Sequence, residues 1–340
     1  MKFGPVPLDQ AEGHVLGHNI AGLDGRRLLR KGRPLTRENV EALRALGRTS
    51  VYVAQIEPGD VGEDDAARRV ATAVIGSGFR LSGPASGRVN VLAIAQGILR
   101  IDAQRLNRLN ACEDITLATL AAHMPVRPKQ IVATVKVIPF AVSETVICTA
   151  EAIAAEDRPL LRLSALGSHN VSLVFSGSPS IREKLAADFA PLRERIEALG
   201  SRVDAADYIP LEDESGEAAL AEALAGRRAA GARLIVLVGE TAIMDRRDIV
   251  PRAVERVGGR VECVGAPVDP GNLLMLAYLG DVPILGAPGC ARSRKVNIVD
   301  WVLPRLLAGD RLTRTDIVSL GLGGLLEDAP ERPMPRDELK

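Results

Sequence analysis

The sequence predicts an α/β fold, with a doubly wound and mostly parallel sheet in residues 159–310 preceded by a smaller α+β N-terminal region. Short apolar runs, such as LIVLV (234–238) and VPILG (282–286), alternate with stretches of helical periodicity. Apolar runs of about five residues bounded by Gly and Pro are typical of buried parallel strands. Ligands of such sheets bind outside the carboxyl ends of the strands, so the loops that follow these runs form the candidate site.

The composition is that of an ordinary globular protein with an aliphatic core. The 340 residues are 46% hydrophobic and 25% charged, and this length allows two or three domains. Aromatic residues make up only 3% and the formal net charge is zero, so neither stacking platforms nor bulk charge indicates a nucleic-acid partner. The N-terminus lacks a charged-then-apolar signal, and no apolar run approaches the roughly 20 residues that span a bilayer. We therefore expect a cytoplasmic protein that does not bind membranes.

Four segments are expected along the chain. The first contains a hairpin signal at Asp24 and Gly25 and a helix capped by Thr36, and an acidic linker with Pro and Gly follows it. In order, the segments are an N-terminal α+β segment (1–57), a middle α+β domain (64–158), the α/β domain (159–310) and a closing segment with a tail (311–340).

The middle domain is expected to combine helices with a strand pair. Apolar spacing predicts helices over residues 64–75, 102–109, 115–122 and 143–156. The strand pair is predicted over residues 131–142, and a strand followed by a helix is predicted around Gly97.

Strands and helices alternate in the α/β domain. The predicted strands cover residues 160–166, 171–177, 203–211, 234–238 and 282–286. Long helices are predicted over residues 181–199 and 216–230, each closed by a glycine, with the acidic patch Glu212–Glu214 before the second helix.

The loop SGSPS follows the strand at 171–177 and opens a helix. Its residues Ser176, Gly177 and Ser178 offer hydroxyl and backbone N–H groups that could hold a phosphate or another oxyanion. Plain capping of the helix by Ser178 or Ser180 explains the same residues equally well. Both interpretations stay open, because the loop matches no established phosphate-binding motif.

The loop GETAIMDRRD follows the strand at 234–238 and carries both signs of charge. Asp248 precedes a helix with Pro251 in its first turn, so capping is one explanation for this carboxylate. Asp245 lacks such a structural explanation. A carboxylate beside arginines could orient a ligand or hold a metal oxoanion complex. The candidate ligand-binding residues of this loop are Gly239, Glu240, Thr241, Arg246 and Arg247.

Two further loops complete the candidate site. PVDPGNLL offers Asp269, Gly271 and Asn272, of which Asn272 could cap a helix or bond a heterocycle. APGCARSRK is predicted to open the last helix, where arginines oppose the helix dipole unless an anion binds there. Its candidate residues are Gly289, Cys290, Arg292, Ser293, Arg294 and Lys295.

The four cysteines, Cys112, Cys148, Cys263 and Cys290, are scattered and form no CxxC pair. Free thiols in a reducing cytoplasm are the simplest interpretation. Cys290 is the alternative case, since it lies close to Arg292, where a thiol could react or contact a ligand.

Four motifs in residues 171–307 occur in the order FSGSPS, VGETAIMDRRDIVP, PVDPGNLL and LGAPGCARS. This series resembles the molybdopterin-binding domain shared by bacterial molybdopterin molybdenumtransferases, adenylyltransferases of the same pathway and gephyrin-like proteins. The segment that begins VLGHNIAGLDGRRLLRKGRPL is similar to the start of the molybdenumtransferases. The likeness is greatest to the branch that is often fused to a cytidylyltransferase-like domain.

This resemblance implies a homodimeric, molybdopterin-binding protein of molybdenum cofactor biosynthesis. If the protein is an enzyme, it inserts molybdate into molybdopterin, assisted by Mg²⁺ when the pterin is nucleotide-activated. Arg246, Arg247, Arg292 and Arg294 would then hold the phosphate, with Asp245 and Asp248 as catalytic residues near the metal.

The chain departs from the family pattern in its glycine-rich loops. VGETAIMD stands where the enzymes have a loop richer in glycine, and only Gly239 is kept. This departure favours a non-catalytic carrier that hands the cofactor to a nucleotidyltransferase or a molybdoenzyme. A sensor that regulates another process is a third hypothesis.

Overall fold

A computed structural model describes residues 1–211 and 215–326, so the predicted acidic patch Glu212–Glu214 and the end of the predicted tail lie outside the described residues. The fold is mixed α/β, as predicted, and contains several separate sheets. The chain divides into two compact units, Met1–Ser164 and Ala165–Lys340.

The first unit begins with a small antiparallel sheet in the strand order β1–β5–β2. Leu16, Leu43 and Val53 form part of its core, and Thr36 caps the helix as predicted. The elements are β1 (Lys2–Pro7), β2 (Val15–Leu16), the hairpin strands β3 (Ile20–Ala21) and β4 (Arg27–Leu29), helix α1 (Arg37–Ala45) and β5 (Ser50–Gln55).

The remainder of the first unit is built on a four-stranded antiparallel sheet in the order β10–β12–β8–β7. Arg69 joins α2 to α4 through two ion pairs, with Glu144 and Glu151. The strands are β6 (Asp60–Gly62), β7 (Phe79–Leu81), β8 (Arg88–Ala93), β9 (Gly97–Ile101), β10 (Ile115–Thr119), β11 (Pro125–Val126), β12 (Ile131–Val137), β13 (Ala141–Ser143) and β14 (Leu161–Ala165). The helices are α2 (Glu63–Val74), α3 (Ala103–Asn110) and α4 (Glu144–Ala155).

Two predictions for this unit are wrong. Residues 115–119 form the strand β10 rather than part of a helix, because Ile115 and Leu117 alternate with exposed residues in the two-residue period of a strand. The side chain of Asn110 bonds both the N–H and the C=O of Leu117 and so fixes this strand against α3. The residues after Gly97 form the buried strand β9, with no helix there.

The second unit contains one six-stranded sheet in the order β16–β15–β17–β20–β19–β18. Its strands are β15 (Asn170–Gly177), β16 (Arg202–Pro210), β17 (Leu234–Gly239), β18 (Arg260–Val264), β19 (Met275–Leu279) and β20 (Val282–Gly286). Its helices are α5 (Arg182–Asp188), α6 (Ala190–Ala198), α7 (Ser215–Ala229), α8 (Ile249–Arg256), α9 (Val299–Leu307) and α10 (Arg314–Ser319). Pro191 has no N–H to continue a helix, so the single long helix predicted over residues 181–199 is divided into α5 and α6.

The sheet is mixed, so the predicted doubly wound, mostly parallel sheet is not confirmed. Strands β16, β15, β17 and β20 pair in parallel, whereas β19 pairs antiparallel with both β20 and the edge strand β18. The reversal occurs at Gly280 and Asp281, a two-residue turn in which Gly280 has a φ of +64°. Two-residue hairpin turns favour glycine because they require positive φ.

Helices cover both faces of this sheet. Leu173 and Val236 pack towards α5, α6 and α9 on one face, and Val174 and Ile235 pack towards α7 and α8 on the other. Because neighbouring residues of β15 and β17 are buried on opposite faces, both strands are buried over almost their whole length and are mostly apolar. This double burial fixes the positions of the loops at their carboxyl ends.

The loop between β18 and β19 packs tightly against the start of α9. Gly271 has a φ of +142°, and a Cβ atom placed there would lie 2.4 Å from Cγ2 of Ile298. The carbonyl of Pro270 also accepts the N–H of Ile298. Gly271 therefore allows the loop between β18 and β19 to pass close to Ile298 at the start of α9.

Gly271→Ala is expected to destabilise the protein by about 1–3 kcal/mol, because the added methyl group clashes with Ile298 in a backbone conformation that disfavours side chains. Urea denaturation would measure the change in the free energy of unfolding. Gly289→Ala is the matched control, since no atom lies within 4 Å of its added Cβ. Equal stability of the two variants would contradict the prediction.

Candidate functional site

The candidate site is a cleft at the carboxyl ends of the neighbouring parallel strands β15 and β17. Ser176 and Gly239 are register partners at these ends, so the two loops that follow begin side by side. The cleft has a volume of about 150 Å³. The predicted residues that line it are Ser176, Gly177, Gly239, Glu240, Thr241 and Asp248. Its apolar wall, which the sequence did not indicate, includes Leu211, Ile243, Ile249 and Val250.

The carboxylate of Glu240 bridges the two loops. Its Oε2 atom accepts hydrogen bonds from the Ser178 N–H (2.8 Å) and the Ser178 hydroxyl (2.9 Å). These two bonds hold the pKa of Glu240 below its ordinary value. The N–H and hydroxyl of Ser178 therefore bond a carboxylate of the protein itself, and the expected binding of an oxyanion ligand stays a prediction. No side-chain capping bond of Ser178 accompanies it at the short helix that begins at Pro179.

Two glycines allow this close arrangement. A Cβ atom on Gly177 would lie 2.7 Å from Cβ of Glu240, and one on Gly239 would lie 2.5 Å from the carbonyl oxygen of Thr241. Tyr208 also contacts the loop, because its hydroxyl donates to the Ser178 carbonyl. Tyr208 was not identified from the sequence, since its partner lies 30 positions away.

Arg292 connects the loop after β20 to the loop after β17. One terminal nitrogen donates to the carbonyls of Gly239 (3.4 Å) and Glu240 (3.3 Å), and the guanidinium lies 4.8 Å from the centre of the Phe189 ring. The Nε atom of Arg292 is buried and has no hydrogen-bond acceptor among the described residues. The Nε–H of Arg292 is therefore a hydrogen-bond donor without an acceptor among the described residues.

The expectation that Arg292 and Arg294 stand at a helix N-terminus is wrong. Arg292 ends a short 3₁₀ turn (Gly289–Arg292), and α9 begins only at Val299. The opposition to the helix dipole that we inferred from the sequence therefore does not arise.

The predicted group of four phosphate-binding arginines is divided in the structure. Arg246 contacts Glu255 of α8 and the carbonyl of Val261, on the face covered by α7 and α8. Arg294 forms an ion pair with Glu194 of α6, on the other face. The side chain of Arg247 makes no hydrogen bond or ion pair within the described part of the chain, whereas its N–H donates to Asp245. Only Arg292 joins the loops of the cleft.

The two predicted catalytic carboxylates are held by backbone N–H groups. Asp248 caps α8 by accepting the N–H of Ile249 (2.8 Å), and its other oxygen accepts from Met244 (3.3 Å). Asp245 accepts the N–H of Arg247 at 2.7 Å and so stabilises the turn that leads into α8. The capping explanation for Asp248 is therefore confirmed, although this residue also lines the cleft.

The loop that contains Gly289 and Cys290 is organised by Asn297, a buried residue that the sequence analysis did not identify. The Asn297 amide donates to the carbonyls of Cys290 (3.3 Å) and Lys295 (3.0 Å). Ser293 accepts the N–H of Lys295. Burial raises the pKa of the Cys290 thiol, so this cysteine is protonated at neutral pH and a thiolate nucleophile is disfavoured.

Asp269, Gly271 and Asn272 do not line the cleft. The backbone of Asp269 bonds Gly324 and Leu326, and the Asn272 carbonyl accepts the N–H of Ala266. These residues close the loop between β18 and β19, and their placement is explained by local packing.

Within residues 1–211 and 215–326, no group of three or more His, Cys, Asp or Glu side chains is arranged to hold a metal ion. The same residues include no helix with the length and apolar character required to cross a bilayer.

The contact between Glu240 and Ser178 predicts a pH dependence of stability. Because the pKa of Glu240 is lowered in the folded protein, its contribution is complete above the ordinary glutamate pKa and is lost as the pH falls through the lowered value. The stability advantage of the wild type over Glu240→Gln should therefore be constant near neutral pH and shrink below roughly pH 4. Urea denaturation across this range would measure it.

Glu222→Gln, at an exposed position of α7, is the control for this experiment and should show no such trend. An identical pH profile for both variants would contradict the assignment of the Glu240 contact.

Comparisons with known proteins give limited similarity. A family model described as a domain of unknown function, DUF8806, matches residues 5–55. No match is found among curated proteins.

Two solved structures are similar over most of the chain. A molybdenum cofactor biosynthesis protein from Pyrococcus furiosus is 12% identical with a TM-score of 0.24, and the alignment covers 94% of this chain and 65% of that one. A molybdopterin biosynthesis MoeA protein from Pyrococcus horikosii is 10% identical with a TM-score of 0.29, covering 91% and 75%. The chain therefore spans about two thirds of the length of the first structure. TM-scores this low support no functional inference.

Proposed function

We propose that the second unit binds the phosphate-bearing end of a molybdopterin-type pterin in the cleft between β15 and β17, as a protein of molybdenum cofactor biosynthesis. The proposal rests on the motif series of residues 171–307 and on the chemistry of the cleft. The observation that carries it is the convergence of two Ser178 donors on one carboxylate oxygen of Glu240. A phosphate oxygen presents the same charge and accepts the same two hydrogen bonds.

The residues around these donors fit a phosphate group. Gly177 and Gly239 keep side-chain bulk away from the backbone, and the guanidinium of Arg292 lies beside the same loop and supplies positive charge. A phosphate would compete with Glu240 for Ser178, so binding requires the Glu240 side chain to turn away. Glu240 is exposed, and this rotation needs no change in the sheet.

The size of the cleft limits what it can enclose. Sites that bury a whole drug-sized ligand usually have volumes of roughly 300–1,000 Å³. At about 150 Å³, this cleft suits the phosphate end of a pterin, with the ring system over its mouth.

A carrier that binds the cofactor and passes it on is the role we favour over catalysis. Asp245 and Asp248 are engaged with backbone N–H groups, so neither is directed towards a metal ligand set. The described residues include no group of three or more His, Cys, Asp or Glu side chains that could hold Mg²⁺. A homodimer and a nucleotidyltransferase or molybdoenzyme partner belong to the same proposal, since the sequence resemblance implies them. We also propose a cytoplasmic location, as expected from the sequence.

Insertion of molybdate into molybdopterin is the second candidate function. It is favoured by one observation, that Asp248 lines the cleft beside Glu240. Molybdate-dependent turnover of molybdopterin would establish it, whereas pterin binding without turnover would leave the carrier. Mass spectrometry of small molecules that co-purify, with metal analysis, would test whether any pterin is bound.

Arg292→Ala is expected to weaken pterin binding on the order of tenfold, or about 1.4 kcal/mol, because it removes the contact between two loops of the cleft. Titration of molybdopterin followed by its fluorescence would measure the dissociation constant. Arg294→Ala is the control in the same loop, since Arg294 is exposed and pairs with Glu194 instead. Equal affinities of the two variants would remove Arg292 from the site.

A further inference from the structure

A cluster of three rings lies on the surface of the first unit, outside the proposed pterin site. Phe3, His18 and Tyr52 are in mutual contact, with ring centroids 5.4–6.0 Å apart. Phe3 is 48% exposed and Tyr52 is 47% exposed. Among the described residues, no other Phe, Tyr or Trp is exposed to this extent. In a chain with 3% aromatic residues, this placement of two of them marks a candidate interaction surface.

The cluster is held by the sheet beneath it. Phe3 lies on β1 opposite Ala54, and Tyr52 lies on β5 opposite Pro5. A Cβ atom on Gly17 would lie 2.8 Å from the Phe3 ring, so the glycine lets the ring lie across the sheet. The rings are therefore fixed by backbone packing although they remain half exposed.

A basic segment adjoins the rings. Between Asp24 and Glu38 the sequence contains no acidic residue, and all the cations in this interval are exposed. These cations are Arg26, Arg27, Arg30, Lys31, Arg33 and Arg37. Within the described part of the chain, only Arg26 has a carboxylate within 4.0 Å, that of Asp24. Lys31 interacts electrostatically with Glu63, and Gly32 and Pro34 share a pocket with the acidic run at positions 63–65. The positive charge without a paired carboxylate among the described residues is therefore that of Arg27, Arg30 and Arg33.

Backbone contacts join the basic segment to the rings. The N–H of Lys31 donates to the side chain of Asn19, next to His18, and the N–H of Gly32 donates to the carbonyl of Leu16. The N–H of Gly17 donates in turn to the carbonyl of Tyr52. These bonds place the backbone at Lys31 and Gly32 next to the segment that carries the rings. We call the rings and the basic segment the aromatic–basic surface: Phe3, His18, Tyr52 and the cations at positions 26–33.

We propose that the aromatic–basic surface binds an acidic polypeptide segment of a partner protein that carries an aromatic or aliphatic side chain. The unpaired arginines would pair with its carboxylates, and the rings would receive its apolar side chain. Tyrosine and arginine are the residue types that most often dominate the binding energy of protein interfaces. The positive charge also makes contact between two copies of this surface unfavourable.

The geometry of the rings favours a polypeptide over a nucleic acid. The ring planes meet at 45–89°, so they pack against one another instead of forming a parallel stack that would receive a base. Addition of a strand to the edge of the sheet is also disfavoured, since Pro5 and Pro7 remove two backbone donors from β1.

The full-length protein can be tested with three fluorescent probes: a random copolymer of glutamate and tyrosine, polyglutamate and a single-stranded oligothymidylate. We expect the copolymer to bind more tightly than polyglutamate, with an affinity that falls as salt is added. The charge-reversing pair Arg27→Glu and Arg30→Glu, and separately Tyr52→Ala, should each weaken copolymer binding on the order of tenfold.

Two control variants should leave binding unchanged. Arg193→Glu alters an exposed charge on α6, and Ile138→Ala removes an exposed apolar side chain elsewhere in the first unit. Thermal denaturation of every variant would separate a loss of binding from a loss of fold.

Several results would overturn the proposal. Failure of the copolymer to bind the folded wild type would do so, as would equal affinities of the variants and the controls. Tighter binding of oligothymidylate would assign the surface to nucleic acid instead, and concentration-dependent dimerisation abolished by Tyr52→Ala would assign it to a second copy.

Discussion

The candidate site depends on the parallel pairing of β15 with β17 inside the six-stranded sheet. This pairing places Ser176 opposite Gly239, so the N–H of Glu240 reaches the carbonyl of Ser176 and its side chain reaches Ser178. Burial of both strands on both faces fixes their register, because a shift by one residue would exchange the residues of the two cores. The loops can therefore differ in chemistry while their starting points stay fixed.

The parts of the fold that could be predicted from sequence are those with a strong local pattern. The buried, mostly apolar strands β15 and β17 were predicted to within a residue or two, as was α7. The hairpin of β19 and β20 was missed, although the pair Gly280 and Asp281 between two apolar runs is a usable turn signal. The strand β10 was interpreted as a helix, because a five-residue apolar segment satisfies either period.

The sequence predicted which two loops lie side by side, but it did not predict most of their side-chain contacts. The loops after β15 and β17 do meet, and Ser178 does hold a carboxylate. The arginines are divided because their partners, Glu194 and Glu255, lie on helices that cover opposite faces of the sheet. The positions of the arginines in the sequence do not indicate these ion-pair partners, because tertiary packing determines which side chains meet. Residues such as Tyr208 and Asn297 carry no local motif and emerge only when the chain is folded.

The position of Glu240 changes how the loop VGETAIMD is understood. This loop places a carboxylate on donors that could otherwise hold a ligand. Any anionic ligand of Ser178 then gains only the difference between its own hydrogen bonds and those of Glu240. Such an exchange lowers affinity without closing the site, since Glu240 is exposed and can return to water at little cost. Reversible and moderate binding of this kind suits a protein that must release its ligand to a partner better than one that must retain it through a chemical step.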